Sequence, residues 1–149
     1  MSHQRCLHGA TLQRLYNVLL HMLRPVADVR MQAPVTFKDG SVLVPDIIIC
    51  QPDSHDDAGT YPDAWQVLLL IEVADTSLAH DRTRKAKVYA VHGIPIYWIV
   101  NLEARRVDVL TNPDATAERY DRHAPVYAGE SLPLPGAQAL AVADIFPSS

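Results

Sequence analysis

The sequence predicts a single α/β domain built on a mixed sheet of about five or six strands, preceded by one long helix and interrupted by a shorter one. Three observations carry that reading. Leucines near the start recur with a helical period, β-branched runs are bracketed by turn residues, and residues 67–73 (VLLLIEV) form the continuous apolar run of a strand buried on both faces. With 149 residues, 48% hydrophobic and 20% charged, the chain can bury one real core and does not have the composition of a disordered chain.

The elements follow in order. Ser2 is placed to cap a helix running to about Leu23, with Leu7, Leu12, Leu15, Leu19 and Leu23 on one side. Asp28–Phe37 and Ser41–Cys50 read as two antiparallel strands around Lys38-Asp39-Gly40, whose Asp-Gly is a hairpin signal. Gln51–Ala64, rich in Asp, Pro and Gly, reads as a loop, and Gln66–Val73 as the buried strand. After a short loop, Asp81–His92 has helical composition and is stopped by Gly93 and Pro95. Ile96–Val100 is a further strand, with Arg106–Thr111 alternating beside it. The tail beyond Asn112 is punctuated by Pro and Gly, with one short strand around Glu118–Arg122.

Composition also narrows the function. No apolar run approaches the ~20 residues of a membrane span, and polar residues run through the start, so a cytoplasmic protein without a membrane partner is expected. Cys6 and Cys50 have no ligand spacing and read as reduced, buried thiols. A net charge of −4 excludes a general nucleic-acid coat but not a local basic patch. The cluster Asp53, His55, Asp56 and Asp57 reads as solvated turn chemistry, and Trp98 as core. His8, His21, His80 and His123 show no ligand spacing.

Two carboxylates interrupt apolar strands. Glu72 is the only glutamate before Glu103, and Asp46 follows Pro45 within VLVPDIII, where the proline should break the ladder. If the two strands are neighbours the acids can converge, and close carboxylates in a low dielectric need a proton, a base or a cation between them. The plainer alternative ties each acid to an arginine or to backbone amides. On the following helix Asp81, Lys85, Tyr89 and His92 share one stripe while Lys87 points away, so Lys85 either faces the carboxylates or pairs with Asp81 on a solvated face. Two carboxylates with a lysine suit phosphodiester hydrolysis, the acids holding a hard divalent cation and the lysine stabilising phosphoryl charge.

The string Pro45-Asp46, Glu72-Val73-Ala74-Asp75-Thr76-Ser77, Asp81, Lys85, Tyr89, Gly93-Ile94-Pro95 and Tyr97-Trp98-Ile99-Val100 resembles the Uma-type family of restriction endonucleases, within the PD-(D/E)XK nuclease superfamily. The resemblance runs from about His3 to Val142–Phe146. It implies a restriction-endonuclease-like mixed β-sheet flanked by helices, DNA as substrate, and Mg²⁺ or Mn²⁺ as cofactor. It further implies that Asp46 and Glu72 are catalytic metal ligands, the Val73 carbonyl is a further ligand, and Lys85 is the catalytic lysine. Asp81 and Tyr89 would orient Lys85 and pack its helix.

The chain also departs from the family. Its members generally begin with a further segment whose acidic residue would join the site, and Asn101 stands where aspartate is usual. Two expectations follow from these readings: a metal-dependent endonuclease, or a catalytically inactive domain keeping the nuclease fold for nucleic-acid or protein binding. Arg106–Thr111, read as an exposed strand, offers an edge along which two copies could form a homodimer.

Overall fold

The leucine stripe and the apolar runs produce two layers of helix around one central sheet. The computed structural model describes residues 3–52, 61–74 and 79–147, without the side chains of residues 3–5 and 79–81. Ser2, the Asp53–Asp57 cluster, Asp75–Ser77 and the Asp81 side chain therefore lie outside the described residues. The elements are α1 (His3–Leu23), β1 (Asp28–Met31), β2 (Val35–Thr36), β3 (Val42–Leu43), β4 (Ile47–Cys50), β5 (Val67–Ala74), α2 (Ala79–Val91), β6 (Ile96–Asn101), β7 (Arg106–Asp114), β8 (Arg119–Tyr127), β9 (Ser131–Leu134) and β10 (Ala137–Ala141). Six strands form the main sheet in the order β1-β4-β5-β6-β7-β8. All neighbours are antiparallel except β5 and β6, which α2 connects in parallel with Glu72 opposite Ile99 and Val73 opposite Val100.

Alternation along the strands divides the interior in two. On one face Leu12, Leu15, Leu19 and Leu23 of α1 pack with Ile47, Ile49, Leu69, Ile71, Val73 and Trp98. The closing residues Val142, Ile145 and Phe146 join that core. The other face gathers Phe37, Ile48, Leu70, Tyr97, Ile99 and Tyr120 beneath Tyr89 and Ala90 of α2. Gly93 ends α2 in the left-handed region (φ 74°), and the Ile94 amide returns to the Tyr89 carbonyl at 3.0 Å.

Several expectations need correction. The two long strands expected before the buried one are four. Gln32 is left-handed (φ 52°), Pro34 follows it and Pro45 interrupts the return, so β1 pairs with β4 in the main sheet while β2 and β3 form their own ribbon. Arg106–Thr111 is not an exposed strand: β7 lies between β6 and β8, and β8 is the edge. The strand expected around Glu118–Arg122 is the start of the nine-residue β8, and β9 with β10 adds a hairpin that was not expected. Cys50 is buried, but Cys6 is exposed.

Candidate active site

Four of the sequence-predicted residues meet at one cleft. Pro45 ends the local ladder, so Asp46 sits at a bend immediately before β4, held by its own carbonyl accepting from the Gln32 amide at 2.8 Å. The pairing of β4 with β5 ends at Ile47 opposite Ile71, and Val73 projects one step beyond. There the Val73 amide donates to Asp46 Oδ2 at 2.8 Å. In an extended strand a residue's N–H and C=O leave on the same side, so the Val73 carbonyl also turns toward Asp46.

Glu72 points the opposite way from Val73, beneath α2, and is only 6% exposed. Its Oε1 accepts from Lys85 Nζ at 3.0 Å and from the Tyr89 hydroxyl at 3.2 Å, and its Oε2 from the Tyr97 hydroxyl at 2.9 Å. Burial raises the Glu72 pKa and the Lys85 ammonium opposes that rise. The Tyr89 and Tyr97 phenols are pushed far above their usual range, first by burial and then by the Glu72 charge, so both remain hydrogen-bond donors. Tyr89 meets Tyr97 edge to face with centroids 4.9 Å apart, and Phe37 of the β2–β3 ribbon packs behind Tyr89 at 6.2 Å. The stripe on α2 is thus real for Lys85 and Tyr89.

His8, Asp46, Glu72, Val73, Arg82 and Lys85 line a cleft of about 150 Å³. A larger cavity, about 560 Å³ beside Phe37, Trp65 and His92, contains none of the predicted site residues, and chemistry rather than size selects the smaller one. His8 is a site residue that sequence reasoning passed over. Its Nε2 stands 3.7 Å from Asp46 Oδ2. It continues the stripe of Leu12, Leu15, Leu19 and Leu23 one turn back, and a histidine on an otherwise apolar stripe was the available signal. Asp108 was also missed: it is buried on β7 with Arg106 Nε at 3.1 Å and His123 Nε2 at 3.4 Å. Asn101 caps the turn after β6 by accepting from the Ala104 amide at 2.9 Å.

The donors fit a hard cation. Asp46, Glu72 and the Val73 carbonyl offer oxygen only, and among the described residues three donors fill three of the roughly four acceptor positions on the Glu72 carboxylate. Among the described residues no group of three or more His, Cys, Asp or Glu is placed to hold a metal. Mg²⁺ keeps several waters and uses one or two carboxylates, a number that Asp46 and Glu72 would supply.

Known proteins bear on the fold and family. The crystal structure of a "putative nuclease belonging to DUF820" from Anabaena variabilis is similar with a TM-score of 0.72 at 18% identity, covering 93% of this chain and 79% of that one. NucC from E. coli MS115-1 and from P. aeruginosa, each in its cAAA-bound form, give TM-scores of 0.45 and 0.38 at 12% and 14% identity. These cover 62% of this chain and 40% and 50% of theirs. No curated protein matches. The resemblance read from the residues is borne out, for the Uma2 family model, described as "Putative restriction endonuclease", matches residues 1–143, and the chain belongs to that family.

Proposed function

We propose that this protein is a metal-dependent endonuclease that hydrolyses DNA phosphodiester bonds in the cleft between α1, β4, β5 and α2. One observation carries the reading. Carboxylates from two neighbouring strands and a lysine from the next helix line one small cavity, with Lys85 Nζ 3.0 Å from Glu72. Asp46, Glu72 and the Val73 carbonyl would hold Mg²⁺ or Mn²⁺, which when bound supplies an acidified water and neutralises phosphoryl charge. The chain's own residues do the rest. The Val73 amide fixes Asp46, Tyr89 and Tyr97 fix Glu72, and the Lys85 ammonium presents a positive charge where negative charge grows on the phosphoryl oxygens. Each group is oriented before substrate arrives, so little reorganisation remains for the reaction itself.

The test is plasmid nicking in Mg²⁺ and in Mn²⁺ with folded wild type, Asp46→Ala and Lys85→Ala, paired with calorimetric metal titration of wild type and Glu72→Ala. Nicking absent in both substituted proteins, with metal binding lost in Glu72→Ala, is the expected result. Undiminished nicking in both substituted proteins would sink the proposal. One observation favours the silent alternative, a nuclease fold kept for binding: Lys85, Tyr89 and Tyr97 already occupy most of Glu72. On that reading wild type neither binds metal nor nicks.

A further inference from the structure

A second groove, of about 470 Å³, opens between α2 and the β6–β8 strands. Arg82 and Lys87 line it from the helix, and Arg106, Arg119 and His123 from the strands. These four Lys and Arg residues are drawn from 13 in a chain whose net charge is −4, so the positive surface is local rather than general. Two acids oppose them. Asp108 is already engaged by Arg106 and His123, whereas Glu118 is exposed at the hairpin turn. Arg119 also reaches Asp121 at 3.4 Å, but both side chains are largely exposed and that pair is weak.

Two features join this groove to the cleft. Arg82 lines both cavities, and its Nε is buried without a hydrogen-bond partner among the described residues. A buried guanidinium donor lacking an acceptor costs stability, and a ligand oxygen would satisfy it. The floor is also continuous, since Glu72 pairs with Ile99 and Ile99 with Asp108, one cross-strand row on the α2 face. Two strand spacings separate Glu72 from Asp108, about 10 Å. That is roughly three nucleotides of rise along one DNA strand.

We infer that the Arg82–Lys87–Arg119 groove is the track for the DNA phosphates flanking the one held in the cleft, with Arg82 as the residue between the two. The inference rests on the nuclease reading of the cleft, but binding can be measured apart from hydrolysis. The probes are a fluorescein-labelled duplex oligonucleotide and its single strand, followed by anisotropy in EDTA across a salt series. Wild type is compared with Arg82→Ala, Lys87→Ala and Arg119→Ala, each checked for an unchanged melting temperature. Arg24→Ala, which alters a separate cavity beside Val26 and Gly136, is the control.

Each groove substitution is expected to weaken binding several-fold and to flatten the slope of log K against log salt. The flattening is about 0.9 per lost contact on duplex and about 0.7 on single strand, and the probe bound more tightly identifies the form the groove takes. Arg24→Ala should overlay wild type. Slopes unchanged in all three groove variants, or no binding by wild type, overturn the track. Nicking lost in Lys85→Ala beside unaltered groove variants would keep the nuclease and discard the track. Flattened slopes in a protein that never nicks would do the reverse.

Discussion

Glu72 is held at three points and still sits uneasily. Burial favours its neutral form, so the folded carboxyl keeps its proton above the ordinary value of 4.5, where the unfolded chain has already released it. The folded state then binds more protons than the unfolded one, and stability falls as pH rises from about 4.5 through the raised value. Glu72→Gln removes that dependence. Urea midpoints of the two proteins should lie close together in acid and separate toward neutral pH, with Glu72→Gln the more stable. A gap that stays constant across the range would mean that Lys85 and the two tyrosines fully offset the burial. Asp46 works differently, because its carboxylate is bonded to a backbone amide at the end of a ladder and is part of the strand geometry itself. Its loss should therefore lower stability as well as nicking, whereas loss of Lys85, whose side chain is 24% exposed, should act on nicking first.

Among the elements, α2 matters most to the site, since it brings both Lys85 and Tyr89 to Glu72. Its exit depends on Gly93. Nothing lies within 4 Å of the position a Cβ would take there, so Gly93→Ala meets no clash, and its penalty is the left-handed backbone alone. A loss of about 1–2 kcal/mol is expected by chemical denaturation, with Lys85 still in reach of Glu72. α1 was legible because it buries one regular face, β5 and β6 because strands buried on both faces read as continuous apolar runs, and α2 because its helical composition is closed by Gly93 and Pro95. The β1–β4 region was legible in content but not in pairing. Which of four short strands joins which sheet depends on Gln32 and Pro45 bending the chain, and a partner two elements away leaves no mark on local sequence. The tail misled for a related reason. Pro113 and Pro125 read as breaks, yet β6 begins opposite Thr111 and β8 is an edge, so each proline is paired within β7–β8 and has no strand on its other side. Asp114 also accepts from the Thr116 and Ala117 amides at 3.0 Å each, turning apparent loop residues into a hairpin tip. In the site, the strand acids and the lysine stood out against apolar surroundings. His8 did not, because its partner Asp46 lies on another element, and Asp108 did not, because it follows Arg106 by two residues on β7 and reads as one charge among others.

Across the whole molecule the sheet separates support from chemistry only in part, since His8 and Val73 reach the cleft from the α1 side. The α1 side carries the larger apolar core and the closing segment, while Lys85 and Glu72 meet under α2. Trp98, buried on the α1 side opposite Val109 on β7, tests that separation. Trp98→Ala should cost about 3–5 kcal/mol of unfolding free energy. Below its lowered melting temperature, it should retain the oligonucleotide affinity and salt slope of wild type; a changed slope would show that the two faces are coupled. The buried charge of Glu72 has a further meaning on an evolutionary timescale. If Glu72→Gln proves the more stable protein, exchanging this acid for a neutral residue of similar size silences the proposed chemistry and stabilises the fold in a single step, so decay to an inert copy runs downhill. Drift alone would discard the glutamate, and a lineage that keeps it records continued selection for what the acid does.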